Sequence, residues 1–303
     1  MRMKRFISPD RLLLTAAIAL LPLYVFPPGN PQPSHLLFLL MSLVVWGRHG
    51  LPNESLLQLL AGLAVYSFAI ELLAGAAAED MRFLIKSTYF LFNLILVAGV
   101  YKVVQQNGVI TLKTGILIAA TFALISLYLN DVNLREIDDE GRDTATFNNP
   151  NQLGFFSVCI LSMSYLLYIE KALRFTLLLA LVAASTFMAI ASLSKAAIIA
   201  NLAVLLFTLR PRDGGSITKL SRIIIPIAAF SLAVYTMVTG LLQDFAFFER
   251  IINIFGEQDS SLAVRGYTVF LEGSALQIFF GLGSPEVYRI LGREVHSTFA
   301  DVW

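Results

Sequence analysis

An all-α, polytopic transmembrane helical bundle is the fold class this sequence predicts, and three observations predict it. Of the 303 residues, 57% are hydrophobic and 14% charged, with a mean hydropathy of +0.73, whereas soluble domains carry about 25% charged residues. The apolar residues fall in runs close to the ~17–25 residues that a helix needs to cross hydrocarbon. Between the runs stand Pro27-Pro28-Gly29-Asn30-Pro31, Gly50-Leu51-Pro52-Asn53, Gln106-Asn107-Gly108 and Pro211-Arg212-Asp213-Gly214-Gly215, all of them helix breakers.

In order, spans are expected at Arg11–Phe26, His35–Trp46, Leu56–Ala74, Phe83–Tyr101, Leu112–Leu129, Gln152–Ile169, Leu173–Ser192, Lys195–Leu209 and Leu220–Leu241. The first follows Met1-Arg2-Met3-Lys4-Arg5 and has the charge and length of a signal peptide. It ends, however, in Tyr24-Val25-Phe26-Pro27-Pro28, without the small residues of a cleavage site, so it reads as an uncleaved span. Residues 1–242 are thus expected to form the bundle, and residues 243–295 a large extracytoplasmic loop. Residues 296–303 would start a tenth helix that stops after about two turns at ~1.5 Å per residue.

Lys and Arg near span ends decide orientation, because cytoplasmic loops carry an excess of them. With a cytoplasmic amino terminus, one side collects Arg2, Lys4, Arg5, Arg11, Arg48, Lys102, Lys113, Lys171, Arg174, Arg210, Arg212, Lys219 and Arg222. The other holds Arg82, Lys86, Arg135, Arg142, Lys195, Arg250, Arg265, Arg289 and Arg293, together with most of the acidic residues. Two long polar segments, Asn130–Asn151 and Gln243–His296, then face the extracytoplasmic side. In the first, Thr146-Phe147-Asn148-Asn149-Pro150-Asn151 has the short polar side chains of a turn, with Pro150 or Asn151 at the start of the next helix. In the second, charges alternate with aromatic and aliphatic groups at helical spacing from Asp244 to Phe255, the pattern of a helix lying in the interface. Ser260 and Ser261 offer an N-cap for another helix through Gln277. Ser192-Leu193-Ser194-Lys195 joins two spans with almost no loop. The Lys195 ammonium therefore lies at or within the membrane boundary, where it either snorkels or meets a partner.

Several function classes drop out. A strongly basic nucleic-acid surface is absent, and no glycine-rich nucleotide loop follows a strand, so no cofactor is implied. His35, His49 and His296 are scattered, so no metal site is expected, and Asp138-Asp139-Glu140 reads as a solvated acidic loop. The single cysteine, Cys159, excludes an intramolecular disulfide. What the extracytoplasmic side gathers is several cations and one histidine. Guanidinium forks grip a pyrophosphate bidentately and stabilise it as it departs, while a neutral imidazole accepts a proton from an attacking hydroxyl. Such a set suits transfer of a glycan from a polyprenyl pyrophosphate to a hydroxyl acceptor. It also suits a transporter or flippase for lipid-linked glycan, which would place charges toward the midplane of its spans. The spans here hold little charge beyond Glu71 and Lys86, each near an end.

Phe147-Asn148-Asn149-Pro150-Asn151-Gln152-Leu153-Gly154 opening a span, Ser192-Leu193-Ser194-Lys195 a span later, Arg265 in the large loop, Gly281-Leu282-Gly283 and His296-Ser297 opening a helix together resemble the O-antigen ligase and polymerase family. That family includes capsule and exopolysaccharide polymerases and pilin O-oligosaccharyltransferases. The resemblance runs in consistent order from Arg142 to the end. It implies a metal-independent inverting glycosyltransferase of the bacterial inner membrane, working on the periplasmic face. The donor would be an undecaprenyl-pyrophosphate-linked glycan and the acceptor a hydroxyl of a glycan, lipid A-core or protein. By position, Arg265 matches the arginine expected to hold pyrophosphate, and His296 the histidine that follows the loop. Lys195 stands where relatives commonly have arginine, keeping the charge and losing the fork. Arg142 has a looser match, and Asn151, Arg289 and Arg293 complete the candidate donor-binding set. Relatives continue through the helix that His296 opens, so the resemblance also implies a carboxy-terminally truncated chain.

Overall fold

The computed structural model describes residues 8–26, 30–79, 84–129, 144–147, 149–208 and 288, with residues 85, 86, 195, 207 and 208 described by backbone alone. The described residues form helices and no strand. In chain order these are α1 (Pro9–Ala19), α2 (Pro33–His49), α3 (Ser55–Ala77), α4 (Leu84–Asn107), a single 3-10 turn (Val109–Thr111), α5 (Leu112–Leu129), α6 (Pro150–Ile169), α7 (Phe175–Ala191) and α8 (Lys195–Thr208). By length and composition four segments can cross a membrane: Ser55–Ala77, Ser87–Asn107, Val109–Leu129 and Pro150–Ile169. Phe175–Ala191 and Ala196–Leu206 are shorter apolar helices. The expected span Leu220–Leu241, the loop of residues 243–295 and the helix beginning at His296 lie outside the described residues.

Most boundaries follow the expected ones, and the departures have local causes. α1 ends at Ala19, not Phe26. Pro22 has no N–H to donate and its ring would collide with the carbonyl of Ile18, so the helix closes at Leu20 and Leu21, whose N–H groups donate to Ala16 and Ile18. α2 and α4 instead run past the apolar runs, to His49 and Asn107, because polar residues such as Arg48, Lys102 and Gln105 are sound helix formers. Each stops at a glycine with positive φ, Gly50 (+70°) and Gly108 (+79°), whose N–H reaches back to Trp46 and Val104.

The chain divides into two compact units, Met1–Met41 with Val103–Phe255 and Ser42–Lys102 with Gly256–Trp303. In the first, α6 packs against α5, α7 and α8, while α5 also packs along α1. Small residues permit this. A Cβ on Gly115 would meet Ile18 Cβ at 2.8 Å and the Thr15 carbonyl at 3.1 Å, so α1 and α5 lie backbone to backbone there. The buried residues of α5, among them Gly115, Ile116, Ala119, Ala120, Ala123 and Leu127, make one broad stripe at helical spacing. Where hydroxyls enter the apolar interior, Ser126 and Ser164 donate to the carbonyls of Phe122 and Ile160 one turn back.

In the second unit, Gly99 of α4 lets Ser42 of α2 approach until the Ser42 hydroxyl donates to the Ile95 carbonyl at 3.2 Å. α3 buries the stripe Leu57, Ala64, Ser67, Glu71 and Gly75. Glu71, 4% exposed, lies in the carboxy-terminal third of this helix.

Candidate functional site

One end of the first unit gathers the close of α1, the start of α6 and the joint between α7 and α8. The four residues Thr144–Phe147 form a turn closed by Phe147 N–H donating to the Thr144 carbonyl at 2.9 Å. Ala145, fully buried in it, has φ of 49°, a left-handed conformation that costs a Cβ-bearing residue about 1–2 kcal/mol. The turn is clamped on both sides. The Thr146 hydroxyl donates to the carbonyl of Pro22, just past α1. The Phe147 ring lies between Tyr24 (centroids 5.2 Å apart) and Phe156 (5.3 Å), tilted to each.

The segment after α1 is braced in turn by Gln32, which is 1% exposed. Its Oε1 accepts from the N–H groups of Val25 (2.9 Å) and Phe26 (3.1 Å), and its Nε2 donates to the carbonyls of Phe26 (3.0 Å) and Asn30 (3.1 Å). One side-chain amide thus satisfies four backbone groups that no helix serves.

α6 starts as its sequence dictates. Asn149 is the N-cap, its backbone extended and its Oδ1 accepting from Gln152 N–H at 3.0 Å, and Pro150 occupies the first helical position. Asn151 follows, exposed in the first turn. On the neighbouring strand of chain, α7 ends at Ala191 and α8 begins at Lys195, with only Ser192, Leu193 and Ser194 between. Leu193 reverses the chain with φ of 47°, a left-handed conformation uncommon for a bulky side chain. The Ser192 hydroxyl donates to the Ala189 carbonyl at 2.8 Å and accepts from Ser194 N–H at 3.2 Å.

Gly154 joins these two stretches. A Cβ there would lie 2.7 Å from Ala197 Cβ, 2.9 Å from Ser192 Oγ and 2.9 Å from Ser194 Cβ, so only glycine permits the approach. The starts of α6 and α8 are therefore neighbours, and each presents the positive end of a helix dipole at the same end of the unit. The backbone of Lys195, the first residue of α8, lies at this end. Such an arrangement attracts anions.

One turn deeper a polar cluster ties the three helices together. Asn201 of α8 donates to Ser157 Oγ of α6 at 2.9 Å and to its own Ala197 carbonyl at 3.0 Å. Its Oδ1 lies 2.7 Å from Ser185 Oγ of α7, which also lies 2.7 Å from the Ser157 carbonyl. All three residues are buried. Neither hydropathy nor any motif in the sequence singles out these residues or Gln32. The available signal was an amide, Asn201, and two serines, Ser157 and Ser185, inside otherwise apolar runs.

Of the residues proposed from sequence, Asn151 and the backbone of Lys195 are brought to this one end. Arg142, Arg265, Arg289, Arg293 and His296 lie outside the described residues. Among the described residues no group of three His, Cys, Asp or Glu side chains is placed to hold a metal ion. Comparison with protein-family models, with curated proteins and with solved structures gives no match.

Proposed function

We propose that this chain is a multi-pass glycosyltransferase of the bacterial inner membrane, of the O-antigen ligase or polymerase type. It would transfer glycan from an undecaprenyl-pyrophosphate donor to a hydroxyl acceptor on the periplasmic face. The observation that carries the reading is the meeting at Gly154. Two stretches of the resemblance, residues 147–154 and 192–195, are separated by a whole helical hairpin in sequence and lie together in space. They bring two helix N-termini and the backbone of Lys195 to one place, and the positive ends of the helix dipoles suit a departing pyrophosphate.

In the proposed reaction the acceptor oxygen attacks the anomeric carbon while the bond from that carbon to the pyrophosphate oxygen breaks. His296 takes the acceptor's proton, Arg265 holds the pyrophosphate, and undecaprenyl pyrophosphate leaves with the electron pair. Arg142, Asn151, Lys195, Arg289 and Arg293 complete the donor site. A transfer assay on the membrane-embedded protein tests the roles. Arg265→Lys keeps the charge and loses the bidentate grip, so transfer falls about tenfold or more with insertion unchanged. The His296 base must be neutral, so wild-type transfer declines as pH falls through about 6.5, the ordinary imidazole value. In His296→Ala the loss is greatest at neutral pH. Full activity in both Arg265→Ala and His296→Ala would overturn the assignment.

One observation favours the alternative, a transporter or flippase for lipid-linked glycan. Glu71 is buried within a membrane-length helix, and intramembrane carboxylates commonly mark transport paths.

A further inference from the structure

We propose that the opposite end of the first unit binds the headgroups of anionic phospholipids. Among the described residues, the cations there are Arg11 in the first turn of α1, Lys113 as the second residue of α5, and Lys171 and Arg174 in the connection from α6 to α7. The fold collects these ends: the turn Val109–Thr111 packs against α1, α5 and α6. Asn107, just before it, donates to Asp10 Oδ2 of α1 at 3.1 Å. Lys171 and Arg174 are exposed, and Arg11 and Lys113 half-buried.

Among the described residues, charge at this end is unbalanced. Against the four cations stand two carboxylates, Asp10, which is 2% exposed and engaged by Asn107, and the exposed Glu170. Because α5 and α6 are of membrane length, their ends fall at the depth of the lipid phosphates. The aliphatic stems of Lys and Arg lie along apolar surface there while their heads reach the phosphate layer. Each cation near an anionic surface strengthens binding about fivefold. The inference uses only the membrane character of the helices and stands apart from glycan transfer.

The test places the protein in nanodiscs of equal parts phosphatidylglycerol and phosphatidylcholine and counts the lipids retained on release by native mass spectrometry. Phosphatidylglycerol should be retained over phosphatidylcholine by about tenfold or more. The variant carrying Lys113→Gln, Lys171→Gln and Arg174→Gln should lose that preference, and the one carrying Lys113→Arg and Lys171→Arg should keep it. Should the triple variant lose its helical circular dichroism, Arg174→Gln alone, at an exposed turn, should weaken the preference about fivefold. Equal retention of the two lipids by the wild type, or an undiminished preference in helical Gln variants, would overturn the proposal. So would displacement of the lipid by millimolar inorganic phosphate, which would make this a site for free phosphate.

Discussion

The four membrane-length segments form two pairs that hydropathy cannot tell apart. α3 matches α5 in mean hydropathy and α4 matches α6, yet 22% of each window in α3 and α4 is buried inside the protein, against 44% in α5 and α6. An apolar run thus reports that a helix can cross hydrocarbon, and says nothing of how much of it touches other helices. Lipid is as apolar as leucine, so association within a bilayer rests on close backbone approach and on hydrogen bonds between helices. α6 has both, at Gly154 and at Ser157, and α4 has them at Gly99, where Ser42 of α2 donates to Ile95. Small residues alone do not suffice, since Gly62 in α3 has nothing within 4 Å of where its Cβ would stand.

The largest expected effect breaks this contrast directly. Gly154→Leu should abolish the folded state, because the atoms it meets are Cβ and Oγ groups fixed to the backbone of the α7–α8 joint. Even Gly154→Ala should cost about 1–3 kcal/mol by overpacking. Gly62→Leu should change stability by no more than about 0.5 kcal/mol, as exposed substitutions usually do. Unfolding in a mild detergent, followed by circular dichroism, reads all three, and equal losses at the two glycines would end the distinction.

Next in size is Asn201→Leu. It removes the donor to Ser157 and the acceptor for Ser185, and leaves two hydroxyls in an apolar interior. Bonds of this kind in membranes average about 0.6 kcal/mol each, so a loss of about 1–2 kcal/mol is expected. Adding Ser157→Ala to Asn201→Leu should cost less than the sum of the two single changes, as partners in one network do. Strict additivity would show that the cluster is not coupled.

How far the sequence foretells such differences depends on what kind of signal each feature leaves. α5 lies at Leu112–Leu129, where the apolar run places it, and the start of α6 follows from Asn149 and Pro150, because capping is local chemistry. The end of α1 does not follow from hydropathy. Pro22 counts as neutral in an apolar run, while its missing N–H is what stops the helix. The polar cluster is harder still. Ser157 lies 28 residues from Ser185 and 44 from Asn201, and only the packing of three helices turns isolated polar residues into mutual partners. At the candidate site, the family resemblance pointed to residues 147–154 and 192–195 separately. Their meeting through Gly154 is a tertiary fact. The clamp from Thr146 to Pro22 and the bracing by Gln32 belong to the same class, since a side chain that satisfies distant backbone leaves no periodic trace.

The smallest expected effect concerns strain at that end. Leu193, Lys171 and Glu79 have positive φ immediately after helix C-caps, a usual way to stop a helix. Ala145 has no such reason, so Ala145→Gly should relieve its left-handed backbone and raise stability by about 0.5 kcal/mol, less than the full strain because glycine also loosens the unfolded chain. Destabilisation by that change would mean that the buried Ala145 methyl contributes more than the strain costs.

Whether the end of the first unit beside Gly154 serves glycan transfer is decided by separating bond formation from movement. Protein in sealed vesicles is given a polyprenyl-pyrophosphate glycan with and without a hydroxyl acceptor, in the presence of a metal chelator. Glycosylated acceptor and free polyprenyl pyrophosphate are expected in equal amounts, formed only when acceptor is present and undiminished by chelator. Acceptor-independent passage of the intact lipid-linked glycan across the bilayer, with no product formed, would contradict it.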